Sequence, residues 1–226
     1  MMLHIPGVLS AEEAAQYRQA LQGAAWVDGR GTAGHLSAGV KHNQQLYWQD
    51  PLAIRLARQI SDKLDQNPLF LSAALPHAML PPLFNRYEGG GHYGPHIDGA
   101  IRPIDGTTRR IRTDLSMTLM LSDPADYDGG ELEILDLAGG RSIMLPAGDA
   151  ILYPASSLHH VTPVTRGVRL AAFTWIQSLV RDDGDRGILF EIDTAIQRLP
   201  VAEETAAARL QLTNVYHNLL RRWADL

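Results

Sequence analysis

The stretch Tyr87-Glu88-Gly89-Gly90-Gly91-His92-Tyr93-Gly94-Pro95-His96-Ile97-Asp98 decides how this chain is read. A glycine-rich approach runs into a His-x-Asp pair. Extended backbone of period two turns residues 96 and 98 to one face of a strand or strand end, with Ile97 on the other. One imidazole and one carboxylate on a common face are two-thirds of a facial metal site, which a second histidine from elsewhere would complete. A lone His-x-Asp pair is common by chance, so the rest of the sequence has to decide.

Composition narrows the chemistry. With 226 residues, 45% hydrophobic and 20% charged, the chain can bury one large domain and carry a small appendage. A formal net charge of −5 argues against a general nucleic-acid binder, and Arg109, Arg110 and Arg112 are too local to form a basic stripe. Without cysteine there are no disulfides, thiolate zinc sites or iron–sulfur clusters, so a metal must take nitrogen and oxygen ligands. No basic-then-apolar leader opens the sequence, and no apolar run approaches the ~20 residues of a membrane span. The expectation is a cytoplasmic protein with neither membrane nor nucleic acid as partner.

Outward from the central stretch, the flanks are helical. Ser10-Ala11-Glu12-Glu13 has the form of a capping box, predicting a helix from Ala11 to about Gln22 that stops at Gly23. Residues 24 to 45 are mixed, with short strands and loops expected. Asp50-Pro51 starts a second helix, whose apolar stripe Ala53, Ala57, Ile60 and Leu64 should lie on a sheet.

From Leu83 to Trp175 the texture is short strands joined by turns. Leu115, Met117, Leu119 and Leu121 alternate with Ser116, Thr118, Met120 and Ser122. Asp128-Gly129-Gly130 turns into a strand over 131 to 135, and Gly139-Gly140 is expected to turn a hairpin back into Arg141–Leu145. Further strands are expected over 150 to 153, 159 to 164 and 169 to 176. The pattern predicts a mainly β protein with an antiparallel sandwich or barrel core.

Arg181-Asp182-Asp183-Gly184-Asp185-Arg186 is expected to be an exposed linker and domain boundary. Beyond it, Ile188, Leu189, Ile192, Ile196 and Leu199 stripe one helix. Pro200 breaks the chain, and Ala208, Leu212, Val215, Leu219 and Trp223 stripe another. The division is residues 1–180 as the main domain, with a core at about 78–178, and 181–226 as a C-terminal helical unit. That unit is expected to stabilise the barrel or to meet a second copy of the chain.

A second cluster, Ser157-Leu158-His159-His160-Val161-Thr162-Pro163-Val164 with Arg166-Gly167-Val168-Arg169, lies about sixty residues after the first. A His on a strand, Pro-Val, a Gly turn, and an Arg ten residues after the His resemble the second half of the Fe(II)- and 2-oxoglutarate-dependent dioxygenase signature. Further motifs join it: Arg112-Thr113-Asp114-Leu115-Ser116, Tyr127-Asp128-Gly129-Gly130-Glu131-Leu132, Pro146-Ala147-Gly148-Asp149 and Trp175-Ile176-Gln177-Ser178. Together they resemble the bacterial PKHD-type hydroxylases, whose catalytic domain is like that of prolyl 4-hydroxylases.

The resemblance implies a double-stranded β-helix (jelly-roll, cupin-like) core with helices packed on its sheet. It implies a metal triad of His96, Asp98 and His159. His160 is the rival, since adjacent strand residues face opposite sides, and the resemblance selects His159. It also implies that Arg169, rather than Arg166, grips the far carboxylate of 2-oxoglutarate as a bidentate fork, with Tyr87 hydrogen-bonding the same group. Fe(II), 2-oxoglutarate and O2 are the expected cofactor and co-substrates, with ascorbate as an optional reductant. The reaction would hydroxylate a small-molecule or peptide substrate while 2-oxoglutarate becomes succinate and CO2, and the family type is linked with iron or siderophore uptake. Arg109 and Arg112 are a candidate rim facing an acidic substrate, against a solvated loop cluster. Trp175 is expected in the core, and His4, His35, His42, His77, His92 and His217 at the surface or in structural roles. The rival functions are a non-catalytic sensor of iron or 2-oxoglutarate, and a cupin-like metalloenzyme needing no keto acid, in which Arg169 would be idle.

Overall fold

In the computed structural model of the protein, which describes residues 1–32, 38–104, 106–136 and 139–226, the alternating strand Leu115–Met120 lies inside a large antiparallel sheet. Its order is Leu3–Ile5, Ala150–Pro154, Leu115–Met120, Arg166–Ser178, Leu83–Glu88, Gln44–Leu46 and Trp26–Asp28. Pro76–Met79 and Tyr127–Asp128 also pair with the long Arg166–Ser178 strand. A smaller antiparallel sheet runs Gly139–Ile143, Leu132–Asp136, Leu158–Val161, His92–His96 and Lys41–His42. A separate ribbon pairs Ile101–Pro103 with Arg110–Arg112. The two sheets make the expected jelly-roll core.

Period-two alternation sorts the large sheet's side chains. Leu115, Met117 and Leu119, with Ala150 and Leu152 beside them, enter a core shared with the helices. Ile151 and Tyr153 point the other way, into a second core with Leu132, Ile134 and Val161 of the smaller sheet. Ser116 and Thr118 share that inward direction and line a cavity between the sheets. Every residue of the Leu115–Met120 strand is buried, so the polar half of the alternation faces the cavity and not solvent.

The helices begin and end where local chemistry dictates. Helix α1 spans Ala11–Gln22; the Ser10 hydroxyl accepts from the Glu13 N–H, the Glu13 carboxylate accepts from the Ser10 N–H, and Gly23 closes it. Helix α2, Pro51–Leu64, starts at the Asp50 cap and buries Ala53, Leu56, Ala57, Ile60 and Leu64 against the sheet. Helix α3, Pro68–Ala74, escaped the sequence reading although Asn67-Pro68 repeats the cap-then-proline signal of Asp50-Pro51. Its seven residues are too few to display a stripe, and Leu75 ends it with φ 44°.

Three expectations change. Gly139 and Gly140 are strand residues, paired with Asp136 and Leu135, so the hairpin does not turn on them; the residues between lie outside those described. The strand expected from Arg169 already begins at Arg166 and runs 13 residues, with Gly167 absorbing φ +71° inside it. Residues 181–186 are only partly a linker: Asp182 caps helix α4, Asp183–Arg198, and Arg186 is 1% exposed. Its guanidinium donates to the Val180 and Arg181 carbonyls and to Asp183, tying the helix to the end of the long strand.

Helix α5, Glu203–Trp223, follows the break at Pro200. Its inward face runs through Tyr216, Leu219, Leu220 and Trp223, which pack with Leu75, Val180 and Leu189. Ala208 and Val215 of the expected stripe are exposed, because the helix is rotated to bring Tyr216 inward, one residue beyond Val215. No helix among the described residues is long and apolar enough to cross a membrane.

Removing the Arg186 side chain leaves two strand-end carbonyls without a charged donor. Arg186→Ala is expected to lower unfolding free energy by about 2 kcal/mol, read as a drop in denaturation midpoint at unchanged slope. An unchanged midpoint would show that this tether contributes nothing.

Candidate metal centre

His96 and His159 are cross-strand partners in adjacent strands of the smaller sheet. Direct pairing puts both imidazoles on one face, and their ring centroids lie 4.2 Å apart. Asp98 follows just beyond the end of its strand. One ligand atom from each of His96, Asp98 and His159 lies within 4.8 Å of the other two. His159 Nε2 is 3.9 Å from Asp98 Oδ2.

The protonation states suit a cation. His96 Nδ1 is 2.8 Å from the Gly94 carbonyl, and His159 Nδ1 is 3.0 Å from the Ser157 carbonyl. A carbonyl only accepts, so each Nδ1 carries the proton and each Nε2 keeps its lone pair for a metal. Burial, and then the neighbouring His159, push the His96 pKa well below its ordinary value, which keeps the ring neutral. The buried Ser116 hydroxyl donates to Asp98 Oδ2 at 2.5 Å and fixes how the carboxylate presents itself.

A bulge shapes the neighbourhood. Between the pairs His159↔His96 and Val161↔Tyr93 the register shifts by one residue, at Gly94-Pro95. Without the bulge Tyr93 and His96 would face opposite sides of the sheet. With it the two rings stack at 3.6 Å. Gly94 has to be glycine, since a Cβ would come 2.8 Å from Val40 Cβ. Beside Tyr93 lies Lys41, only 3% exposed, its ammonium 5.0 Å from the Tyr93 ring centroid.

The metal-facing atoms open onto a cavity of about 440 Å³, which also reaches Arg169. Arg169 is 1% exposed and is the cross-strand partner of Tyr87, with its guanidinium carbon 5.4 Å from the Tyr87 ring centroid. Its Nη2 has only the Met120 sulfur, at 3.7 Å, and its Nε and Nη1 have no partner among the described residues. Burial pushes the Tyr87 phenol up to about 12, so it stays a protonated donor. Tyr127 stands beside the same guanidinium, and its phenol is likewise raised, mainly by burial. The turn at Gly129-Gly130 leaves room for all three groups. A Cβ on Gly130, at φ +70°, would meet Arg169 Cδ at 2.9 Å and Val164 Cγ2 at 2.8 Å.

Other residues singled out in the sequence lie elsewhere. His160 turns outward to Glu133, 3.0 Å away, and Arg166 pairs with Asp128 at the surface. Arg112 grips Asp114 and Asp225 and donates to the Ser178 carbonyl, a brace between strand end and C-terminus. Arg109 is exposed in the ribbon's loop, and neither arginine lines the cavity. His4 meets Asp149, His42 lies tilted against His92, His217 meets Tyr216 edge-on, and His77 is exposed; His35 lies outside the described residues. Trp175 is 5% exposed, as expected for the core, yet its ring also walls the cavity, with the Arg102 guanidinium 3.7 Å from the ring centroid. Lys41, Tyr93, Arg102, Ser116 and Tyr127 were missed. Tyr93, Ser116 and Tyr127 stood inside the quoted stretches without a role of their own, and Ser116 also as a polar residue in the 115–122 alternation.

Comparison with known proteins gives this arrangement a family. Residues 82–177 match the model of the 2OG-Fe(II) oxygenase superfamily, and residues 183–225 that of the PKHD-type hydroxylase C-terminal domain. A PKHD-type hydroxylase of Bordetella pertussis is 56% identical over 226 residues, covering all of both chains. One of Burkholderia cenocepacia is 57% identical over 227 residues, again over the full length of both. Among solved structures, a Pseudomonas putida prolyl-4-hydroxylase superposes with TM-score 0.51 at 21% identity, over 78% of this chain and 92% of that one. HygX from Streptomyces hygroscopicus, with nickel and 2-oxoglutarate bound, gives 0.53 at 18% identity, over 79% and 84%. These two likenesses speak to the fold. The full-length relatives and the matched models establish that the chain belongs to the PKHD-type hydroxylases, Fe(II)- and 2-oxoglutarate-dependent dioxygenases.

Proposed function

We propose that His96, Asp98 and His159 hold the Fe(II), that Arg169 and Tyr87 bind the far carboxylate of 2-oxoglutarate, and that a substrate C–H bond is hydroxylated in the cavity they share. The observation that carries this reading is the Arg169 guanidinium: shut away from water, facing the cavity, with two nitrogens that have no acceptor among the described residues. A buried cation without a counter-charge costs several kcal/mol. A carboxylate arriving with a ligand removes that cost and matches the planar fork. Two neutral imidazoles and one carboxylate likewise suit Fe(II) while leaving open positions for co-substrate and O2. When bound, the iron would activate O2, the oxidant of the reaction, so that one oxygen atom ends in succinate as 2-oxoglutarate loses CO2 and the other enters the substrate C–H bond.

The protein's own groups prepare that chemistry. The Gly94 and Ser157 carbonyls fix both imidazole tautomers, and Ser116 orients Asp98. Tyr87, kept protonated, adds a neutral donor next to Arg169 without competing for its charge. Tyr153, buried and edge-on to His159 with ring centroids 5.2 Å apart, limits how far that imidazole can swing. The apolar walls Leu132, Val161 and Phe173 keep water from the reacting atoms. Ascorbate, in this reading, restores Fe(II) after turnovers that miss the substrate.

Under anaerobic conditions, Fe(II) with 2-oxoglutarate should give a weak visible metal-to-ligand charge-transfer band, and succinate should form slowly once O2 is admitted. His159→Ala should abolish the band. Arg169→Ala should weaken 2-oxoglutarate binding by about 30-fold or more, as loss of one partner of a buried charge pair implies. Retention of full affinity would return the reading to a keto-acid-independent metalloenzyme. A sound band without any succinate would point instead to a sensor.

Gly130→Ala offers a subtler check, because its methyl group would press on Arg169 Cδ while Gly90→Ala, at φ +88°, meets open space. Both should lose about 1 kcal/mol or more of stability to backbone strain. Only Gly130→Ala should also weaken 2-oxoglutarate binding, measured by titrating the same band. Equal losses of affinity in the two variants would separate Arg169 from the co-substrate.

A further inference from the structure

We propose that a second cavity, which shares Trp175 with the metal cavity as a wall, is the subsite for an apolar arm of the substrate: an alkyl chain or aromatic group that trails from the carbon to be hydroxylated. The inference rests on the reading above, in which that carbon lies beside His96, Asp98 and His159. The second cavity has a volume of about 480 Å³ and lies between helix α2, the start of the Leu83–Glu88 strand and the Ile101–Pro103 strand of the ribbon. Its walls are mostly carbon, among them Leu46, Trp48, Ile54, Pro82 and Ile104, with Arg58, Ser61 and Arg102 as the polar exceptions.

Continuity decides what occupies it. Trp175 and Arg102 line both cavities, so a molecule whose reacting end sits in the first has the second within reach of its other end. The shared wall is stiff. The Arg102 guanidinium carbon lies 3.7 Å from the Trp175 ring centroid, and Phe173 meets the same ring edge-on at 5.4 Å. Arg102 serves here through its stacked face, whatever its N–H groups hold. The Leu80 N–H donates to the Trp175 carbonyl, and the Thr174 hydroxyl donates to the Leu80 carbonyl, which pins the turn into Pro81-Pro82 where φ is already fixed. A cavity built this way exists before its ligand arrives and loses little entropy on binding. Its lip is unusual for a folded surface. Trp48 is 38% and Ile54 55% exposed, while Leu56, Ile60 and Leu64 of the same helix as Ile54 are buried. Large apolar side chains left wet at the mouth of a concave apolar space mark a place that a ligand dries. A protein partner would need a broad exposed face, whereas these residues line a pit that adjoins the reaction cavity.

The test uses the full chain, metal-free at first, and 2-naphthylmethanol as a neutral apolar probe, followed by saturation-transfer NMR on its ring protons. Binding should saturate. Trp48→Ser and Ile54→Asp should each weaken it about fivefold or more, as loss of one apolar contact implies; both residues are exposed, so the core is spared. Leu210→Asp replaces a 73% exposed apolar residue on helix α5 and should leave binding unchanged. Mn(II), a paramagnetic stand-in for Fe(II), is then added with 2-oxoglutarate. Probe protons should relax faster with Mn(II) than with diamagnetic Zn(II), because the two cavities adjoin. The proposal is overturned by absence of saturable binding, by undiminished binding in both lip variants, or by an equal loss in Leu210→Asp. It is overturned too if Mn(II) leaves the probe's relaxation unchanged in protein that electron paramagnetic resonance shows to be loaded. Failure of the metal reading is seen separately, as Mn(II) bound equally by the unaltered protein and His159→Ala. That result removes the substrate assignment, while the metal-free titration still tests the cavity by itself.

Discussion

A guanidinium sealed between two sheets, with donors aimed at a cavity and no carboxylate among the described residues to meet them, sets the terms for the rest of this structure. Arg169 sits on the longest strand of the large sheet, next to Tyr87 on one side and beneath the Gly129-Gly130 turn on the other. Each neighbour supplies bulk, a neutral donor or room, and none supplies a negative charge. Stability alone would favour an apolar side chain there. The arrangement makes sense as a site that waits for a ligand's charge, and the cluster of His96, Asp98 and His159 on the same cavity is where the proposed metal would sit.

The cavity itself is a consequence of strand geometry. A sheet of period two has to send half its side chains each way, and the large sheet sends its aliphatic half to the helices. The other half meets the smaller sheet. There Ile151, Tyr153, Leu132 and Val161 close a core, while Ser116 and Thr118 keep a polar patch beside Asp98. Core and site are therefore two ends of one interior. A change in packing on the smaller sheet would be felt by His96 and His159, whose strands belong to it.

What the sequence disclosed follows the range of the forces involved. Caps act within three or four residues, so the Ser10 box and the Asp50-Pro51 start could be read directly, and so could the break at Pro200. Strand alternation over 115–121 is equally local. The triad was legible only by joining two distant motifs through a family resemblance, since no spacing rule places residue 159 opposite residue 96. Tyr93 was hidden because a bulge at Gly94-Pro95 inverts its face. Lys41 was hidden because its strand is two residues long and shows no periodicity. Arg112 misled for a related reason: its partners Asp114 and Asp225 lie 2 and 113 residues away, and only the first can be seen in the chain.

The bulge at Gly94-Pro95 joins the His96–His159 pair to the cavity wall beside it. Inserting one residue between Tyr93 and His96 gives the smaller sheet two inward rings where a regular strand would give one. The inner ring keeps Nε2 toward the cluster of His159 and Asp98, where the proposed metal would sit, and the outer ring carries Lys41 on its face. Gly94 permits the close approach to Val40, and Pro95, which has no N–H to lose from the ladder, is tolerated at the irregular position. A Gly-Pro pair placed immediately before the first histidine is thus what turns both rings to the cavity side of the sheet.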